Sequence, residues 1–142
     1  MKHLQVPADL ESLAAIRKYV KEAAAAARLE SGSAYRLQLA VDEIATNVIL
    51  HSYHAAGLAG ELSVFAELSA QALTVTLEDT GRPFDSRTAD LPTEEELALP
   101  LEERPIGGLG VYLTLKGVDE FRYETVGSRN HNIFVMRRKP AS

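Results

Sequence analysis

The chain has 142 residues, no cysteine and a formal net charge of −5, and 25% of its residues are charged. That length fits one compact domain, residues 1–142, with a core of its own, and the composition is that of an ordinary globular protein, neither fibrous nor disordered. The acidic balance argues against nucleic acid as a main partner, missing thiols exclude disulfides and cysteine nucleophiles, and no apolar run approaches the roughly 20 residues of a membrane span.

There is no signal-peptide pattern at the start, and the absence of cysteine suits a reducing compartment, so the expected location is cytoplasmic. Lys2 to Val6 alternates polar and apolar residues and predicts a short edge strand. Pro7, Ala8 and Asp9 read as a turn with Asp9 capping a helix. From Leu10 to Leu29 there is neither Gly nor Pro, and Leu10, Leu13, Ile16, Val20, Ala24 and Ala27 step round at helical spacing. The slim Ala23 to Ala27 run lets a neighbour approach closely, and internal packing is the expected use.

Ser31, Gly32 and Ser33 are read as the break, with Ser33 capping a second helix that runs to about Tyr53. Leu37, Val41, Ile44 and Val48 form its core stripe. Glu43, Asn47 and His51 recur every four residues and line one side of it. A carboxylate one turn from a carboxamide can accept a proton and offer an oxygen to a hard cation. The polar flank of any amphipathic helix shows the same residues.

Gly57 and Gly60 close that helix. Glu61 to Leu68 and Ala72 to Glu78 predict two strands joined at Ser69, Ala70 and Gln71. The second ends in Glu78-Asp-Thr-Gly-Arg-Pro-Phe-Asp85. Asp79 at a strand end, with Gly81 close behind, is a fixed acceptor where backbone can come near a ligand, and an exocyclic amine such as adenine's is a suitable donor. A plain Asp/Gly turn reads equally well.

Residues 86–106 lack periodicity apart from a short capped piece after Thr93. Gly107, Gly108, Leu109 and Gly110 then open a helix from Val111 to Lys116. A glycine turn there offers bare N–H groups to an anion, or is simply a tight packing turn. Asp119 to Val126 and Asn132 to Arg138 predict two antiparallel strands about a turn at 127–130, and Arg137, Arg138 and Lys139 read as a solvated basic end. The expected fold is a two-layer α/β sandwich, its mostly antiparallel sheet covered on one face by helices.

Taken together, Glu43-x-x-x-Asn47, Asp79-x-Gly81 and Gly107-Gly108-x-Gly110 resemble the boxes of the Bergerat-fold ATPases, the GHKL superfamily of histidine-kinase-like domains. Within it the chain is most similar to the anti-sigma-factor serine kinases. The similarity rests on Glu43, Asn47 and the His51-x-Tyr53 pair, on Asp79 to Asp85, on Pro105 to Gly110 and on Val118-Asp-Glu. The resemblance implies Glu43 as general base and Asn47 as the Mg²⁺ ligand. It implies Asp79 at the adenine amine, Gly81 beneath the base, and Gly107, Gly108, Leu109 and Gly110 around the phosphates of ATP. Asn132 stands where many relatives carry a Thr near the adenine, and Arg104 is a further lid residue. It also implies phosphorylation of an anti-sigma-factor antagonist with a STAS domain, a homodimer, and a sigma factor as second partner. The alternative is a nucleotide-gated module that sequesters such a regulator with little kinase activity. A detached histidine-kinase catalytic domain is less expected, since no phosphoacceptor helix precedes the first strand.

Overall fold

The structure is a computed structural model that describes residues 1–87, 111 and 114–138. Strands β1 (Leu4–Pro7), β2 (Glu61–Leu68), β3 (Ala72–Asp79), β4 (Glu120–Val126) and β5 (Arg129–Arg137) form one sheet in the order β1-β2-β3-β5-β4. Every neighbouring pair is antiparallel. Helices α1 (Leu13–Ala26) and α2 (Ser31–Asn47) cover one face.

Alternation decides which face that is. Val6 lies opposite Leu62, Val64 opposite Leu77 and Val75 opposite Phe134, so the two-residue period carries all of them to the helical side. They meet Ile16 and Val20 of α1 and Leu37, Val41 and Ile44 of α2, all buried. Ala23, Ala24 and Ala27 are buried as well, so the slim stretch of α1 is used for internal packing. Tyr19 adds a polar tie, its hydroxyl accepting the Ala66 N–H at 3.1 Å.

The helix boundaries differ from the sequence expectation in instructive ways. Leu10–Ser12 is a 3-10 turn ahead of α1, and Asp9 precedes it without a side-chain capping bond. Just past the end of α1, Arg28 takes a left-handed φ of 57°. Its N–H bonds the Ala25 carbonyl, and the Leu29 N–H bonds that of Ala24. This is the Schellman arrangement, normally built on Gly, with Leu29 packing against the core. Ser31, Gly32 and Ser33 therefore begin α2 and do not break the chain. Ser33 does not cap it; its hydroxyl accepts from Arg36 Nη2 at 3.2 Å.

At its far end α2 passes without a break into a π-helical segment, Val48–His54, with Ala55 N bonding Leu50 O and Leu58 N bonding Tyr53 O. Such widened turns recur at functional sites. The basic end also departs from its expected solvated state. Arg138 donates to Ala27 O at 3.0 Å and to Ser69 O at 2.6 Å, closing the C-terminus of α1 against the β2–β3 turn. Among the described residues no helix is long and apolar enough to cross a membrane.

Candidate functional site

The site begins with the docking of the chain after β3 against the end of α2. Ser52 and His51 offer their carbonyls to Arg82, which donates from its backbone N at 2.9 Å and from Nη2 at 3.0 Å. The His51 ring stacks on Phe84 with centroids 4.5 Å apart. Tyr53, fully buried, donates its hydroxyl to Glu61 O at 3.0 Å and accepts from Thr80 N at 2.9 Å. Asn47 Nδ2 makes a long 3.5 Å contact with the buried Ser86 hydroxyl. The helix carrying Asn47 and the turn carrying Asp79 are thus joined along their length.

Gly81 is required by this junction. A Cβ there would sit 2.6 Å from the Ser52 carbonyl oxygen and 2.9 Å from Ser52 Cβ. Backbone cannot swing aside as a flexible side chain does. Gly81→Ala is expected to lower stability by about 1–3 kcal/mol, as overpacking does, read as a shifted midpoint in urea unfolding. A midpoint like the wild type's would show that the turn yields freely.

Asp79 ends β3 and is 2% exposed. Its Oδ1 accepts from Gly81 N at 3.0 Å and from Asn130 Nδ2 at 2.9 Å. Asn130 also donates to Gly81 O and accepts at 3.3 Å from Tyr123, whose hydroxyl in turn accepts from Phe84 N. Both bonds of the carboxylate fall on Oδ1, so among the described residues no donor reaches Oδ2. Burial raises the Asp79 pKa, against the bonds from Asn130 and Gly81 and the charge of His131.

Two residue pairs inward along the sheet is Asn132, opposite Leu77 while Asp79 is opposite Asn130. It is wholly buried, and neither its Nδ2 nor its Oδ1 has a partner. On α2, Glu43 lies one turn before Asn47. Burial, then the adjacent Asp42 charge, raises its pKa. Asp42 is itself held by Arg17 at 2.6 Å. On the other flank Asp85 takes a two-pronged grip from Arg87. Burial opposes ionisation of Asp85, but the Arg87 hydrogen bonds and charge hold its pKa below the ordinary value.

Of the residues picked from the sequence, Glu43 and Asn47 share α2, and Asp79 and Gly81 form the turn docked against its extension. Gly107, Gly108, Leu109 and Gly110 lie outside the described residues, as does Arg104. Asn130, Tyr123, Ser52 and Ser86 escaped the sequence reading. Asn130 looked like a turn residue and Tyr123 like an ordinary strand aromatic, and no spacing in the sequence links either to Asp79.

The sequence profile of the histidine kinase-like ATPase domain matches residues 6–138. The chain belongs to this family. A histidine-kinase-like ATPase domain is an ATP-binding regulatory or kinase unit, so membership carries ATP binding with it. No curated protein matches the sequence. Among solved structures, the histidine kinase domain of a blue-light-activated histidine kinase from Erythrobacter litoralis is similar at 18% identity and a TM-score of 0.52. The match covers 92% of this chain and 61% of that one, a likeness of fold.

The residues present fit the nucleotide. Asp79 Oδ2 is an acceptor held in place with no partner among the described residues, and the Asn132 amide is a buried donor and acceptor left unmade beside it. Buried polar atoms are rarely abandoned, and those that are point to a missing water, ion or ligand. Asn47 Oδ1 likewise receives no bond among the described residues, an amide oxygen suited to a cation that keeps most of its waters. Among those residues no cluster of three or more His, Asp or Glu is placed to hold a metal unaided.

Proposed function

We propose that this chain is an ATP-dependent serine kinase of a bacterial partner-switching system, acting on a serine of an anti-sigma-factor antagonist with a STAS domain. The observation that carries the reading is Glu43, a half-buried carboxylate whose pKa burial and Asp42 push upward. It precedes Asn47 by one turn, on the helix whose end holds the Asp79 turn. A base works best when its pKa lies near the working pH, and burial moves a carboxylate that way. A module that only sequesters a partner has no need of such a group.

In this reading Glu43 takes the proton of the serine hydroxyl while that oxygen bonds the γ-phosphorus of ATP and the bond to the β-phosphate oxygen breaks. Phosphoryl transfer depends mainly on placement and charge neutralisation. Asp79 Oδ2 accepts from the adenine amine, and Asn47 Oδ1 is the protein ligand for Mg²⁺. When bound, the cation neutralises phosphate charge. Gly107, Gly108, Leu109 and Gly110 would supply backbone N–H groups to the phosphates. A homodimer that also holds a sigma factor is the expected assembly.

The test is retention from native cell extract on the immobilised protein, with ATP and then ADP, followed by incubation with γ-labelled ATP. The expected result is a small retained protein that becomes labelled on serine. Label on histidine would favour a sensor-kinase role, and retention without label would favour sequestration.

A further inference from the structure

Ser86 is 1% exposed, and among the described residues its hydroxyl bonds a single group, Asn47 Nδ2, at 3.5 Å across 39 positions of sequence. Burying a hydroxyl costs free energy that one long contact offsets only in part, and alanine would fill the same space with nothing to satisfy. The chain on both sides of Ser86 is nevertheless built to hold it there. Before it, Phe84 stacks its ring on His51, one turn beyond Asn47, and donates its N–H to the Tyr123 hydroxyl at 3.2 Å. After it, Arg87 grips Asp85 from its backbone N, Nε and Nη2 at 3.0, 3.1 and 2.8 Å. The Arg87 guanidinium also lies over the Phe121 ring, 5.6 Å from its centroid. The hydroxyl is thus fixed from two directions against the amide that the nucleotide reading gives to the cation.

An asparagine amide has two ends of opposite character, a carbonyl oxygen that attracts a cation and an NH₂ that repels it. Half a turn about the last side-chain bond exchanges them, and that torsion is a broad, two-fold one. An unrestrained Asn is therefore wrongly turned part of the time. A group that accepts from Nδ2 leaves Oδ1 facing the other way. A cation on Oδ1 also draws charge from the amide and makes its N–H a stronger donor, so the bond to Ser86 tightens when the cation arrives.

Resting on the reading of Asn47 as the Mg²⁺ ligand, we infer that Ser86 is a positioning residue for the cation: its oxygen accepts from Asn47 Nδ2 and so keeps Oδ1 turned toward the metal. Groups that hydrogen-bond a metal ligand act in this way generally, fixing its orientation and raising metal affinity. Ser86 itself touches neither nucleotide nor cation. Its contribution passes entirely through Asn47.

The test is calorimetric ATP binding across a range of Mg²⁺ concentrations, with urea unfolding of each protein free of nucleotide. The proteins are wild type, Ser86→Ala, Ser86→Cys, Asn47→Ala and the double variant of Ser86→Ala with Asn47→Ala. Ser86→Ala should need roughly three- to tenfold more Mg²⁺ to tighten ATP half-maximally, the worth of one neutral hydrogen bond. Its Mg²⁺-free ATP affinity and its urea midpoint should stay near wild type. Ser86→Cys keeps the side chain's shape with a much weaker acceptor and should show the same shift, so the comparison stands even if Ser86→Ala disturbs the fold. Adding Ser86→Ala to Asn47→Ala should change ATP affinity no further at any Mg²⁺ concentration, because the amide it positions is gone. A loss in the double variant as large as in Ser86→Ala alone would make Ser86 a merely structural residue and overturn the inference. Equal Mg²⁺ requirements for wild type, Ser86→Ala and Ser86→Cys would overturn it too and leave the nucleotide reading intact. Wild type whose ATP affinity ignores Mg²⁺ would overturn the cation reading and this inference together.

Discussion

Glu43→Gln should leave ATP and partner binding close to wild type while phosphate transfer to the partner's serine falls by roughly 10²–10⁴-fold, the usual worth of a general base. The amide keeps the shape and the hydrogen-bonding reach of the carboxylate and loses only its basicity. The pH profile adds a second readout. Burial and the Asp42 charge raise the Glu43 pKa above its ordinary 4.5. The base works deprotonated, so wild-type transfer should climb as pH rises through that raised value, and this limb should vanish in the Gln variant. The linkage to stability has the opposite sense. A carboxylate with a raised folded-state pKa binds its proton more tightly folded than unfolded, so its contribution is full below 4.5 and is lost as pH rises through the folded value. At neutral pH the Gln variant should therefore be no less stable than the wild type. Asn47→Ala provides the contrast, because loss of the cation ligand should weaken Mg²⁺-dependent nucleotide binding as well as transfer. Equal transfer rates for wild type and Glu43→Gln would show that Glu43 is only a polar helix residue.

Asp79→Asn should weaken ATP binding by about 1.5–3 kcal/mol, the range for a hydrogen bond to a charged group, or roughly 10- to 150-fold. The arrangement of partners makes this substitution clean. Asn at 79 can keep its oxygen where Oδ1 now accepts from Gly81 and Asn130, so the turn is preserved. Its amino group then replaces Oδ2 and presents a donor to a donor. Since burial is the main force raising the Asp79 pKa, the neutral amide also removes a penalty on the empty fold. ATP affinity should fall while the melting temperature of the empty protein holds or rises. Wild-type affinity should decline as pH drops through the raised pKa, which lies above the ordinary 3.8, because the protonated carboxyl no longer offers two acceptors. Unchanged affinity in calorimetry would remove Asp79 from the adenine site.

The sequence alone was enough for the two long helices, for β2 and β3, and for the faces they bury. The stripe of Leu37, Val41, Ile44 and Val48 is buried throughout, and β2 begins and ends at the expected residues, because periodicity is a local property that burial enforces. The family was legible for a related reason: its boxes are short and need no knowledge of the fold to be seen, and the family profile matches residues 6–138. Boundaries set by backbone geometry were less legible. Nothing in Arg28 announces a left-handed C-terminal turn that Gly usually makes, and the π-helical segment after Asn47 reads as more α-helix.

Only the tertiary structure decided which residues hold the site in place. Asn130 meets Asp79 across a strand pairing 51 positions apart in sequence, and the requirement for Gly81 comes from the backbone of Ser52. Arg138 closes a helix that ends 111 residues earlier, where the sequence suggested a solvated tail. A side chain's partner across the fold leaves no periodic trace, since it depends on register and on where turns bring strands together. Asn132 is the sharpest case. In the sequence it is a polar strand residue at a position where many relatives carry a Thr, and only the tertiary structure shows it to be a buried amide without a partner, diagonal to Asp79 on the sheet.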